Sequence, residues 1–382
     1  MDYIKLHKQH KYQDVYSRYV TNNHIFPFLE NLTKLFTVNI IGKSVKRRPI
    51  YSIKVGDGKT KILIWSQMHG NESTTTKALL DLLNTLKDHS FSYILKACSF
   101  YIIPILNPDG AHSYTRLNAN KEDLNRDAQI LSQPESLVLR EAFNCFKPHF
   151  CFNLHGQRTI FSAGKTNKPA TVSFLSPAEN ENRNITRTRR IAMELIAIMN
   201  KVLQSYIPNQ VGVYDDSFNL NCVGDTFQSL KVPTILFEAG HYKDDYNREQ
   251  TRLYIYIALL SAISSLSKTK ITGTYYQDYL KIPQNEKLFY DIILRNCKLS
   301  LTEKNAEKDV GFLFKEEIRN NNVVFLPIVE KISNLEHFYG HKELKVNNSL
   351  VLGESGELLK EGYANDFVLI NNELFVLKSI KN

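Results

Sequence analysis

The chain has 382 residues, 43% of them hydrophobic and 23% charged, and a formal net charge of +9. That length allows one large domain and a smaller one, and that composition excludes a chain dominated by disorder. The basic residues are spread along the chain rather than collected in a tail, so the charge implies a solvated, mildly basic surface and no nucleic-acid partner is expected.

Cys98, Cys145, Cys151, Cys222 and Cys297 are odd in number and contain no Cys-x-x-Cys pair, which argues against a disulfide framework and against a thiolate zinc site. The N-terminal stretch lacks the apolar core of a secretory signal, and the longest apolar run, Leu253 to Leu266, is too short and too mixed to span a bilayer. A cytoplasmic location without membrane insertion is the expectation.

In chain order, residues 1–35 carry loose helical spacing and are expected to form short helices outside a sheet. Two β-like runs follow, Phe36 to Ile41 and Ile50 to Val55, around the basic turn KSVKRR. After a Gly-Asp-Gly turn, Lys61 to Trp65 reads as a buried strand that delivers His69, Gly70, Asn71 and Glu72. Apolar residues every three to four positions predict a helix over Ser73 to Leu86. A second strand, Ser99 to Leu106, ends in the turn signal Asn107-Pro108-Asp109-Gly110. The loop after it is long, polar and rich in Arg116, Asn118, Asp123, Asn125, Arg126 and Asp127, which suits a functional loop. A helix at about Pro134 to Phe146 leads to a third strand, Phe150 to Leu154, that delivers His155.

Arg183, Arg187, Arg189 and Arg190 then open an amphipathic helix, and a solvated helix face outweighs an anion-binding one. A loop containing Asp216 and Gly224 leads to a fourth strand, Val232 to Phe237, that presents Glu238, and a helix from about Asn247 to Leu266 closes the large domain. The alternation predicts an α/β fold, with a mixed, largely parallel central sheet flanked by helices. Beyond 270 the texture changes to short β-rich runs, with Asn371-Asn372 as a hairpin turn. The expected organisation is a catalytic domain at 1–270 and a small β-rich domain at 271–382.

Four strands each end at residues able to do chemistry, and in open α/β sheets such ends converge. His69, Glu72 and His155 make a two-histidine, one-carboxylate set that suits one zinc ion with a position left for water. Glu238 could take a proton from that water and pass it to a leaving group. Arg116 and Arg126 are natural partners for an oxyanion and a substrate carboxylate, and Asp123 for the outer nitrogen of a ligand histidine. Taken singly, His69 or His155 is more often an ordinary hydrogen-bonded histidine; Glu72 could be merely a first-turn acid, and a structural ion pair of Arg126 with Asp109 or Asp127 is the minority reading. The joint pattern reverses that balance. His241 receives no role, and His337 with His341 lacks the acidic context of a second metal site.

The chain resembles the zinc carboxypeptidases of the carboxypeptidase A superfamily through HGNE at 69–72, NPDG at 107–110, RLNANKEDLNRD at 116–127, NLHG at 153–156 and FEAGH at 237–241. The resemblance covers roughly Ile50 to Leu266. It implies zinc on His69, Glu72 and His155, Glu238 as the catalytic glutamate, and Arg116 polarising the scissile carbonyl. It also implies that Asn125 and Arg126 anchor a substrate's C-terminal carboxylate, that Asp123 backs the first zinc histidine, and that Tyr214 closes over substrate. Asn71 stands where the digestive members have an arginine.

The expected function is a zinc metallocarboxypeptidase acting on a peptide or peptide-like substrate with a free carboxylate. An N-acyl amino acid deacylase on the same site is the alternative, and a non-catalytic basic binding module a distant third.

Overall fold

The apolar run ahead of the HGNE motif forms β3 (Thr60–Ser66), buried throughout from Ile62 onward, as expected of a strand covered on both faces. The computed structural model describes residues 1–300 and 307–377. The chain divides into two units, residues 1–157 with 170–285, and residues 158–169 with 286–382.

The strands are β1 (Thr37–Lys43), β2 (Pro49–Val55), β3, β4 (Cys98–Ile103), β5 (Phe150–Gly156), β6 (Phe161–Ala163), β7 (Val172–Leu175), β8 (Val211–Val213) and β9 (Thr234–Ala239). All but β6 form one eight-stranded sheet in the order β1-β2-β4-β3-β5-β9-β7-β8. The centre, β4-β3-β5-β9, is parallel, whereas β1, β2 and β7 join antiparallel partners. The helices are α1 (Tyr3–His10), α2 (Asn22–Leu32), α3 (Thr74–Leu86), α4 (Ser92–Ala97), α5 (Pro108–Ser113), α6 (Pro134–Phe146), α7 (Arg187–Leu203), α8 (Val223–Ser229) and α9 (Glu249–Lys268). On one face Ile62, Ile64, Phe152 and Phe237 pack with apolar residues of α3, α7 and α9; on the other, Leu63, Trp65 and Cys151 pack with Leu139 and Phe143 of α6 and Phe227 of α8. Each such buried side chain contributes about 1.5–3 kcal/mol.

The smaller unit holds β6 paired with β10 (Asn285–Lys287), then β11 (Phe289–Lys298), β12 (Glu307–Arg319), β13 (Asn322–Ser333) and β14 (Tyr339–Lys345) in the sheet order β13-β12-β11-β14. Finally β15 (Val351–Leu352), β16 (Phe367–Ile370) and β17 (Glu373–Val376) form a three-stranded sheet. The β16–β17 turn is Asn371-Asn372, both residues at positive φ of 49° and 69°, as their type predicts. Its core includes Ile292, Leu294, Phe312, Val329 and Val368.

Two expectations are corrected. Asn107-Pro108-Asp109-Gly110 is not a simple turn but the start of α5: the Asn107 side chain accepts from Gly110 N at 2.8 Å, and Pro108 occupies the first turn where its missing N–H is harmless. The loop through Gly224 contains α8, a two-turn helix too short for periodicity to reveal. Among the described residues no helix is long and apolar enough to cross a membrane, and the five cysteines are unpaired.

Candidate metal and catalytic site

At the end of β3 the chain turns sharply through Gln67, a non-glycine residue at φ 43°, into His69 and Glu72. Gln67 is fully buried; its Nε2 donates to Gly70 O (2.8 Å) and Val20 O (3.0 Å), and its Oε1 accepts from Thr76 (2.8 Å). These bonds hold a backbone conformation that a lone side chain of this type rarely adopts. Gly70 is required by close approach: a Cβ there would lie 1.9 Å from the carbonyl carbon of Gly110. The HGNE turn is thus packed directly against the NPDG segment, which requires its glycine, whereas a Cβ on Gly110 would meet the Asn107 side chain at 2.5 Å.

Three side chains converge. His69 Nδ1 lies 2.9 Å from Glu72 Oε1, and His155 Nδ1 lies 2.9 Å from Glu72 Oε2 and 3.2 Å from His69 Nδ1. The backbone N–H of Gly156 also donates to Glu72 Oε2 at 3.0 Å. One donor atom from each of the three residues falls within 4.8 Å of the others, and both histidine side chains are 2% exposed. His69 uses its outer nitrogen, Nε2, to reach Asp123 Oδ1 at 3.1 Å, an arrangement that fixes ring orientation and raises ligand basicity. Two ring nitrogens and a carboxylate facing one another fit the donor set of a zinc site.

The local charges are strongly coupled. Burial opposes ionisation of Glu72, yet the two imidazoles hold its carboxyl well below the usual range. Asp123 is likewise held down, against burial, by its bonds to His69, the Arg116 guanidinium and Asn125 N. His155 is lowered by burial, whereas the carboxylates of Glu72 and Asp123 outweigh burial at His69 and raise it.

Glu238 stands on β9 in register with His155 on β5, so the two side chains leave the same face of the sheet on adjacent strands. Burial and the nearby Glu72 carboxylate push its carboxyl well above the usual range, with Arg116 opposing. Arg116, whose side chain is 45% exposed, bonds Asp123 through Nε (3.1 Å) and Nη2 (3.0 Å) and reaches Glu72 Oε1 through Nη1 (3.4 Å). Tyr214 follows β8, and its backbone N–H donates to Phe174 O at 3.0 Å. Burial and the Glu238 and Glu72 carboxylates raise its phenol, which bonds Asn285.

The polar loop is organised by its own side chains. Asn118 Oδ1 accepts from the N–H groups of Asn120 and Glu122, and Asp123 caps the short turn Leu124–Arg126 by accepting from Asn125 N at 2.8 Å. Asn125 Oδ1 accepts from Val223 N at 3.0 Å, which ties the loop to the first residue of α8. The Arg126 guanidinium donates to Asn125 O (2.8 Å) and sits 3.1 Å from Cys222 Sγ. Its expected competitors are engaged elsewhere: Asp109 with Arg48 at 2.6 Å, and Asp127 with Ser132 and Gln133.

At the basic helix start Arg189 is buried, and it and Arg183 both pair with Asp216, at 2.7 and 3.3 Å, while Arg187 and Arg190 are exposed. His241 is buried against Tyr246, and His341 stacks on Phe289 and bonds Thr159 O at 2.8 Å. Gln67 and Cys222 are the neighbours that sequence reasoning missed. Gln67 sits in an apolar-to-polar transition where side-chain bonds leave no periodic trace, and Cys222, 96 positions along the chain, adjoins Arg126 only in the folded state.

Comparison with known proteins converges on one family. The sequence profile of zinc carboxypeptidases matches residues 28–201. Carboxypeptidase 2 of Trichophyton rubrum is 30% identical over 132 residues, which span 32% of this chain and 24% of that protein. Carboxypeptidase M of Mus musculus is 29% identical over 161 residues, 35% of this chain and 36% of that protein. The matches therefore span between about a quarter and a third of those relatives. In fold, the chain is similar to a metallo-carboxypeptidase from Burkholderia cenocepacia, with a TM-score of 0.51 at 19% identity over 64% of this chain and 70% of the other. Bovine thrombin-activatable fibrinolysis inhibitor gives 0.53 at 16% identity over 65% of this chain and 98% of the other. The HGNE, NLHG and FEAGH residues gather at one end of the sheet, in a chain that is similar to the zinc carboxypeptidases in sequence over residues 28–201 and in fold.

Proposed function

We propose that the chain is a zinc-dependent metallocarboxypeptidase that hydrolyses the C-terminal peptide, or peptide-like, bond of a substrate with a free carboxylate. The observation that carries this reading is the meeting of His69, Glu72 and His155 beside Glu238, in register on the adjacent strand. His69 Nδ1, His155 Nδ1 and the Glu72 carboxylate would hold one zinc ion. When bound there, zinc supplies a Lewis acid that polarises a carbonyl and acidifies water.

The remaining roles fall to the chain's own groups. Glu238, in register beside His155, takes a proton from the attacking water and delivers it to the departing amine. Arg116, tethered through Asp123, donates to the carbonyl oxygen as negative charge develops. Asn125 and Arg126 bind the terminal carboxylate by charge-assisted hydrogen bonds. Tyr214 covers the substrate from β8. Asp123 keeps His69 in its ligating orientation.

A panel of peptides with free and amidated C-termini, assayed beside N-acyl amino acids, tests the reading. Release of the last residue from free-acid peptides only is the expected result. Cleavage of amidated peptides at equal rate contradicts it, and hydrolysis of acyl amino acids with peptides untouched transfers the same site to a deacylase.

A further inference from the structure

Between α1 and α2 the chain runs from Lys11 to Thr21 without regular secondary structure, yet Val15, Arg18, Val20 and Thr21 are buried. This stretch lies ahead of residues 28–201, the part that matches the family profile. Its carbonyls are claimed by side chains from elsewhere. The Arg252 guanidinium of α9 donates to Tyr12 O (2.7 Å) and Val15 O (2.8 Å), Ser73 Oγ donates to Arg18 O (2.5 Å), and Gln67 Nε2 donates to Val20 O (3.0 Å). At the other end Tyr12 N donates to Asp81 Oδ1 at 2.7 Å, and the Tyr19 hydroxyl donates to His112 O at 2.8 Å.

Two of these partners bracket the candidate ligands. Gln67 lies two residues before His69, and Ser73 directly follows Glu72. The same Gln67 amide nitrogen that holds Val20 O also holds Gly70 O, inside the ligand turn, while Thr76 of α3 fixes its oxygen. The turn carrying two of the three donors is therefore bonded to residues 12–20 on both of its flanks. A left-handed residue such as Gln67 keeps its conformation only while its surroundings enforce it.

We propose that residues 12–20 form a strap whose seating and the metal occupancy of the site are one coupled equilibrium, with Gln67 as the positioning residue that joins them. The proposal rests on the zinc reading of the site. Seated, the strap holds His69 and Glu72 at the spacing that zinc needs. Released, it frees Gln67 and Ser73 and lets the turn relax. Linkage requires the effect to run both ways: bound zinc must tighten the strap by the factor by which a seated strap tightens zinc.

Two full-length variants test this, Gln67→Met, close in size but without the hydrogen bonds, and the milder Ser73→Ala. Zinc affinity by chelator competition and amide exchange of residues 12–20 by mass spectrometry, with and without zinc, are the readouts. Gln67→Met is expected to weaken zinc binding about 10–100-fold, the range seen when a supporting partner of a ligand is removed, and Ser73→Ala by less. In the wild type, zinc is expected to slow exchange of residues 12–20, and in Gln67→Met to slow it less. Wild-type zinc affinity in both variants, or strap exchange indifferent to zinc, overturns the strap while leaving the metal site intact. A wild-type chain that takes up no zinc overturns both.

Discussion

Around Asp81 and around Glu72 the larger unit buries the same kinds of group, a carboxylate with histidine and arginine, and the two clusters differ in how their lone pairs are used. Asp81 is gripped by both Arg252 nitrogens at 2.6 Å, by His7 Nε2 at 3.0 Å and by Tyr12 N at 2.7 Å. Beside it Lys77 and Lys11 take up the two oxygens of Glu249, at 2.5 and 2.7 Å. Three cations, Arg252, Lys77 and Lys11, meet the two carboxylates. Around Glu72, by contrast, two imidazole nitrogens stand 3.2 Å apart and share one carboxylate, so donor atoms gather without enough protons or cations among them. The first arrangement locks helices α3 and α9 to the N-terminal residues. The second, on the reading proposed above, would hold an ion, and what separates the two is whether cations or neutral donor atoms surround the carboxylate.

The comparison breaks most visibly at Glu72. Glu72→Ala is expected to lower zinc affinity by more than the roughly 10–100-fold that follows loss of a supporting partner alone, as read by chelator competition, while the thermal midpoint of the metal-free protein changes little. Asp81→Ala is expected to do the reverse. It leaves the fully buried Arg252 with Glu249 alone as counter-ion, which costs about 3 kcal/mol of stability by denaturant titration, yet saturating zinc still binds one ion per folded chain.

A smaller effect depends on pH. Burial disfavours the Glu249 carboxylate, but Lys77, Arg252 and Lys11 pull its pKa down to about 2, below its ordinary 4.5. A carboxyl depressed in the folded state adds stability above about 4.5 and loses it as pH falls toward 2, here about 3 kcal/mol in all. Glu249→Gln should therefore be less stable than wild type at neutral pH, with the gap narrowing across that acid window in urea titrations. A gap constant with pH contradicts the assignment. Smallest of all, Arg126→Ala should raise KM for free-acid peptides about tenfold, the worth of one charged hydrogen bond, while kcat stays near wild type and amidated substrates notice nothing.

Much of this was legible in the sequence because the large sheet is buried on both faces. Its strands read as apolar runs, and each run stops at the residue that matters: His69 after β3, His155 at the end of β5, Glu238 near the end of β9. The Asn371-Asn372 hairpin was legible for another reason, the tolerance of asparagine for left-handed backbone. The sequence was silent where tertiary bonds replace local pattern. The strand β12 carries charged residues at both ends, which confine its apolar run to Val310 through Phe314. Strands β6 and β8, at three residues each, are shorter than any period can register. Gln67 reads as one polar residue after an apolar run, and only the folded chain shows that its amide joins Val20, Gly70 and Thr76.

The most direct test of the central claim, a zinc centre with Glu238 as its proton carrier, is a paired measurement on wild type and Glu238→Gln: bound zinc per chain, and turnover of a free-acid peptide at that loading. One zinc in both proteins, with turnover in the variant reduced by about a hundred- to ten-thousandfold, is the predicted result. Wild-type turnover by a zinc-loaded Glu238→Gln, or a wild-type chain that hydrolyses peptides without any bound metal, would contradict it.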